Sequence, residues 1–361
     1  MLSHSRRYVH ACRAMLGCAL ASSFITTQSP AQQPARASTE SAAMEAVTTS
    51  RIGPGLYEIV PSITRNAVYV ASAGTRSAPT GTIYVLDPIT LAIRDSIDVS
   101  SAPAYGLGLN DRTQMLYTSN TRDGSVWAIN LKTGKTVARI ADPSDPTAHT
   151  YRVVVDEASN TVYVSIADTP GRVWVIDGNT NTIAHVIENV GTRTTGLALD
   201  AAANKLYAAS LGTNEIVVVD LATRQVVSRM PSGAEGPIQL ALDTAGSRLF
   251  VTNQVTGAMT VLDTKTGELL ATVKTGEGAL GVGFDAGTNL VYVANRRAGT
   301  VTVVDATSYT IVSNINAGTL PNTVAIDAKS HRVYVTNKAR APQGQPAEAD
   351  TGGDTITLIT P

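Results

Sequence analysis

The chain has 361 residues, 43% of them hydrophobic, 5% aromatic and 16% charged, which excludes disorder, a state that needs low hydrophobicity and high net charge. A formal charge of −1 and a pI near 6.5 leave no bulk field to draw the whole molecule to DNA or an anionic membrane, so any such affinity has to be local. With 3 Phe and 2 Trp against 12 Tyr, the core has to come from Val, Ile, Leu and Ala, which favours strands over helical bundles.

Arg6, Arg7 and Arg13, with no acid among them, precede an apolar stretch from Ala14 to Ile25 and then Ser29-Pro30-Ala31, with small residues at the first and third positions. Residues 1–31 therefore read as a secretory signal peptide, and residues 32–43, rich in Ala, Ser, Gln and Pro, as a flexible linker. Ser5-Arg6-Arg7 partly resembles a twin-arginine signal, although Val9-His10-Ala11 departs from the usual continuation. Leu16-Gly17-Cys18 is a poorer lipoprotein signal, because only four residues separate Arg13 from the cysteine. The expected location is periplasmic or secreted. Both cysteines, Cys12 and Cys18, fall in this segment, so the body has no disulfide framework, thiolate metal ligand or cysteine nucleophile. No later stretch approaches the ~18 apolar residues of a membrane span. Loss of the three arginines leaves 25 basic against 29 acidic residues, a net of −4.

Residues 44–361 carry one unit seven times. The unit is an apolar run ending in Asp, a short turn, an apolar run around an aromatic, a Gly turn, a third run ending in Asp or Asn, and a fourth strand. The second-run aromatic recurs at Tyr69, Tyr117, Tyr163, Tyr207, Phe250, Tyr292 and Tyr334, in steps of 48, 46, 44, 43, 42 and 42 residues. That period predicts four-stranded propeller blades, and nearly continuous apolar runs suit strands buried on both faces between neighbours. The last copy ends at Thr360 without a fourth strand. Glu45 to Ser50 followed by Gly55 to Val60 matches Thr310 to Asn316 followed by Asn322 to Asp327, so the N-terminal strand is expected to complete the last blade and close the ring.

Val333-Tyr-Val-Thr-Asn337, Leu249-Phe-Val-Thr-Asn253 and Val291-Tyr-Val-Ala-Asn295 resemble the signature of the YVTN-repeat β-propellers of the YncE-like periplasmic type. The resemblance implies an all-β, seven-bladed propeller with four-stranded blades. It implies little about activity, because propellers serve as enzymes, binders and interaction hubs alike. Asn120, Asn253, Asn295 and Asn337 have a structural explanation, since Asn tolerates and bonds the turn after it.

In the usual propeller, loops between blades and loops between second and third strands share one face, the top. Its bases include Arg51, Arg76, Arg122, His149, Arg152, Arg193, Arg296, Arg297 and Lys338, while most turn aspartates fall at the bottom. Converging arginines could hold phosphate or carboxylate in bidentate fashion. Tyr105 and Tyr151 offer rings on the same face for bases or sugars to stack on. The candidate ligand-binding set is thus Arg51, Arg76, Tyr105, Arg122, Tyr151, Arg193, Arg296, Arg297 and Lys338. The alternative reading is that these are solvated surface charges. Glu58 is added as a channel residue, read as the counterpart of Gly108, Val154, Ala198, Ala241, Gly283 and Ala325. It is either a functional group lining the channel or a residue paired in the closing blade. Trp127 and Trp174 read as packing between blades. Two long top loops, Ser72 to Gly81 and Lys338 to Gly353, add candidate binding elements.

The three histidines after the signal, His149, His185 and His331, fall in different loop classes, and neither a metal triad nor a Ser/His/Asp set emerges. Covalent haem is excluded without Cys-x-x-Cys-His, quinone binding has no recognisable signature, and no cofactor or metal is expected. The sequence favours a non-enzymatic, monomeric, exported propeller with a basic top face for a polyanion or protein partner: nucleic acid, acidic glycan or acidic peptide. A lactonase-type hydrolase and a structural cell-envelope protein are the alternatives.

Overall fold

A computed structural model describes residues 46–75, 79–340 and 350–360. The expected signal and linker, Arg76, and the middle of the last long loop lie outside them. Among the described residues, 28 strands, β1 to β28 in chain order, form seven antiparallel sheets of four. The first strand of each blade is β2 (Leu56–Ser62), β6 (Gly106–Asn110), β10 (Thr150–Asp156), β14 (Thr194–Asp200), β18 (Pro237–Asp243), β22 (Ala279–Asp285) and β26 (Pro321–Asp327). The last blade runs β1-β28-β27-β26, with β1 (Ala46–Arg51) pairing β28 (Thr355–Thr360) from Ala46 opposite Thr360 to Arg51 opposite Thr355. The ring closes as expected. Ile52 N–H donates to the Asp354 carbonyl at 3.1 Å and Gly55 N–H to its carboxylate at 2.8 Å, fastening the joint on the top side.

The recurrent aromatics fill the layers between blades. Tyr69, Tyr117, Tyr207, Phe250, Tyr292 and Tyr334 are all buried. Tyr69 packs with Leu107, Leu116 and Ile129 of the next blade, and Tyr334 with Leu56, Ile59 and Leu86 across the closing joint. Trp174 is buried beside Tyr117 and Val126, and Trp127 packs against the Tyr69 cluster, so both serve packing between blades. Large aromatics in such layers contribute several kcal/mol each, roughly 3–5 on truncation.

The signature residues hold each blade to its neighbouring connections. Asn337 Nδ2 donates to the Ala317 carbonyl at 3.0 Å and to Thr355 and Thr357 Oγ1 at 3.0 and 2.9 Å. The hydroxyl one position earlier reaches the next blade: Thr336 donates to the Tyr57 carbonyl at 2.8 Å, Ser119 to Tyr151 at 2.6 Å, Ser165 to Thr195 at 2.6 Å and Thr252 to Leu280 at 2.6 Å. These carbonyls belong to irregular steps at the top of the first strands, where the pairing shifts, as between Leu56 and Ile59 or Thr150 and Val153. Such bulges re-aim side chains, and here they turn residues toward the top mouth of the central channel. The expected long loop from Ser72 to Gly81 is mostly an extended hairpin, with Gly74 opposite Pro79.

Candidate functional site

Pairing sets which residues are equivalent. Val60, Gly108 and Val154 face the aromatics Tyr69, Tyr117 and Tyr163. Three residues earlier stand Tyr57, Tyr105 and Tyr151, at one equivalent position in three successive blades. The register expected for Glu58 is corrected by the same pairing: the counterpart of Gly108 and Val154 is Val60. Glu58 lies two residues nearer the top, level with Gly106 and Arg152. The run expected from Gly55 to Val60 starts at Leu56 and extends through Pro61, opposite Val68, to Ser62.

Glu58 is buried and accepts a hydrogen bond from Arg152 Nη1. The pair links the first and third blades rather than lying within the closing one. Between them the second blade has Gly106, where a Cβ would collide with the Tyr151 carbonyl and Ser119 Oγ. Arg152 Nε is buried with no hydrogen-bond partner. Burial pushes the Tyr151 phenol up, and the Glu58 carboxylate adds to the shift.

Above this pair the cations gather. Lys338 Nζ lies 3.1 Å from the Tyr57 ring centroid. Tyr57 meets Tyr105 edge to face, centroids 4.6 Å apart, and the Arg122 guanidinium stands 5.5 Å from the Tyr105 centroid. Arg296 donates from Nη1 to Asn322 Oδ1 at 2.5 Å. Burial, then the Arg296 charge, lowers the Lys338 amine to about 7; Asp354 opposes this and Arg122 adds to it. Burial also lowers Arg296, against the opposing effects of Tyr57 and Tyr151. Burial raises Tyr57 and Tyr105, in both cases against Arg122, and Tyr105 Oη is buried without a hydrogen-bond partner. Among the described residues, Arg122, Arg296 and Lys338 form no ion pair with a carboxylate.

Of the residues picked from sequence, Tyr105, Arg122, Tyr151, Arg296, Lys338 and Glu58 surround this mouth. Arg51 is exposed at the top end of the outer strand β1. Arg193 is exposed with φ 55°, its N–H donating to the Asp168 carbonyl at 2.8 Å. Arg297 lines an open cleft of about 660 Å³ with Val255, Lys274, Thr275 and Glu277, between the fifth and sixth blades. Sequence reasoning missed Tyr57 and Asn322 and counted Arg152 only as a surface base. The signal for Tyr57 was present: Tyr57, Tyr105 and Tyr151 are spaced by 48 and 46 residues, as are Tyr69, Tyr117 and Tyr163.

The fold and this mouth define a seven-bladed β-propeller with tyrosines and cations at one end of its channel. A family model described as a seven-bladed β-propeller lactonase matches residues 147–284. The uncharacterized protein YncE of Salmonella typhi is 34% identical over 194 residues, 52% of this chain and 54% of that protein, and YncE of Escherichia coli K12 is 33% identical over the same shares. Together with the fold, these matches support a YncE-like propeller family for this chain. The chain spans about half the length of the curated relatives it matches. Among the described residues no helix is long and apolar enough to cross a membrane, and no three of His, Cys, Asp and Glu gather as metal ligands.

Proposed function

We propose that this chain is an exported binding protein that holds an anionic ligand, or an acidic group of a partner, at the top mouth of its channel. One observation carries the reading: Arg122, Arg296 and Lys338 converge on the Tyr57–Tyr105 pair without a carboxylate ion-paired to them among the described residues. Cations used to hold this fold together look different. Arg172 is paired with Asp145 and Asp168, Arg248 with Asp243, and Arg139 with Asp123. Packing like charges into a partly desolvated mouth costs free energy unless an anion joins them. An incoming carboxylate or phosphate would gain charge-assisted hydrogen bonds from both guanidinium groups and the amine.

The lactonase-like match over residues 147–284 supports a second reading, a hydrolase built on Tyr151 and Arg152. Glu58, the carboxylate beneath the cations, is engaged by Arg152, which leaves it poorly placed as a general base. Binding is therefore the better supported function.

The test is binding of sulfate, polyphosphate, an acidic glycan and single-stranded DNA across a salt series. At least one should bind with an affinity that falls as salt rises. Arg296→Ala and Lys338→Met should each weaken binding by roughly tenfold or more, whereas Arg51→Ala and Arg193→Ala should leave it unchanged. Absence of salt-sensitive binding to all four would sink the proposal.

A further inference from the structure

The class of anion that suits the mouth can be narrowed, on the premise that the mouth binds an anion at all. The rings of its central pair are already engaged. Lys338 covers a face of Tyr57, Arg122 stands over Tyr105, and Tyr57 and Tyr105 meet edge to face. A single strand of nucleic acid needs open rings for its bases and a cationic track for its backbone. That pair offers no open stack, and no cationic track is built from it: Arg51 is exposed on the outer strand β1, Arg193 is exposed with its backbone tied to Asp168, and Arg297 lines the separate cleft between the fifth and sixth blades. The free cations instead come together from three blades, with Arg122 from the second, Arg296 from the sixth and Lys338 from the seventh. Convergence on one point suits a compact charge.

Lys338 occupies the centre of this arrangement. Among the described residues, the charged groups that act on its amine are Arg296, Asp354 and Arg122, and the ring it sits on is Tyr57. Burial, with the Arg296 and Arg122 charges behind it, outweighs the one acid, so without a bound anion the amine gives up its proton far more readily than a free lysine does. An anion placed among these groups reverses the balance.

We infer that the mouth takes a compact multivalent anion, of the size of sulfate, a phosphate monoester or a short dicarboxylate, together with one proton that Lys338 accepts. The proton comes from the buffer acid, the new bond is N–H on Nζ, and the anion itself is unchanged. Since burial and then the Arg296 charge lower the amine to about 7, the coupling has a defined window. Near pH 6 the amine is already charged and little proton is taken up. Near pH 8 close to one proton is taken up per anion bound.

Calorimetric titration with sulfate and with succinate, which carry no proton of their own across this range, tests the inference. The apparent affinity should fall roughly fifty-fold from pH 7 to pH 9. At pH 8 the binding heat should change with the ionisation heat of the buffer in proportion to about one proton. Lys338→Arg should keep binding while losing the pH dependence, and Lys338→Met should lose binding while unfolding at a similar temperature. Binding that is flat between pH 7 and 9, or a pH dependence that persists in Lys338→Arg, overturns the proton coupling. Tight binding of single-stranded DNA with no response to sulfate or succinate overturns the compact ligand but leaves the anion site standing. Failure of every anion overturns both.

Discussion

The two ends of the propeller use charge in opposite ways. At the bottom, the aspartates that close the strands are consumed by the fold. Asp87 accepts the N–H groups of Ile89 and Thr90 at 2.8 and 2.7 Å, Asp263 those of Lys265 and Thr266 at 2.7 and 2.8 Å, and Asp305 those of Thr307 and Ser308 at 3.0 and 2.7 Å. Each carboxylate caps its own turn and lies within two or three residues of its partners, so the same short motif works in blade after blade. At the top, Arg122, Arg296 and Lys338 satisfy nothing of this kind. They sit among tyrosines: Lys338 lies on Tyr57 and Arg296 bonds Asn322, each in the next blade, while Arg122 stands over Tyr105 of its own blade. A repeat can therefore carry acidic turns for structural reasons alone, while departures from the repeat mark the cations that are left for a ligand.

The largest expected effect separates scaffold from mouth. Tyr334 is fully buried in the closing joint and its hydroxyl donates to the Pro88 carbonyl at 2.8 Å. Tyr334→Ala removes that bond and empties a core position, at a cost of about 3–5 kcal/mol. Denaturant unfolding should show the loss, while the folded fraction binds sulfate within about twofold of the parent, as expected for independent sites. A large change in affinity would mean that joint and mouth are one unit.

The fold was legible because the repeat states it many times. Seven aromatics in steps close to 43 residues indicate the blades, and the missing last strand together with Glu45 to Ser50 indicates the closure. The mouth was legible only in part. Lys338 and Arg296 directly succeed the signature Asn337 and Asn295, so their place in the repeat points them to the top. Glu58 and Arg152 are 94 residues apart and meet because bulges turn two strands of non-adjacent blades toward each other across Gly106. No local pattern encodes that meeting. Tyr57 was hidden by the same two-residue error in register that misplaced Glu58.

A smaller effect sharpens the contrast by converting a consumed charge into a free one. Glu58→Gln keeps the shape of the pair but leaves the Arg152 guanidinium uncompensated. The partner is partly solvated, with 22% of its side chain exposed, so the loss of stability should be about 1–3 kcal/mol rather than the full cost of an isolated buried charge. Sulfate affinity should rise by roughly tenfold or less, as a fourth cation faces the mouth. An unchanged or weaker affinity would show that Arg152 works only as a strut.

The smallest effect lies at the bottom end and has a sign fixed by the aspartate caps. The N–H groups of Thr90 and Ile89, with Arg94 helping, hold the Asp87 carboxyl down from its ordinary 3.8 to about 2. A group depressed in the folded state contributes its stability above the unfolded value and loses it as the pH falls through the folded one. The Asp87 contribution is thus complete above about pH 4 and lost toward pH 2. Asp87→Asn can still accept from the turn but has no charge to lose, so its thermal midpoint should start slightly lower at pH 7 and decline less between pH 4 and pH 2. Anion binding at pH 7 should not move, because Asp87 closes a bottom turn and none of its partners reaches the mouth. A change in sulfate affinity in this variant would mean that the charges at the two ends are coupled and that the division between structural acids and ligand-facing cations does not hold.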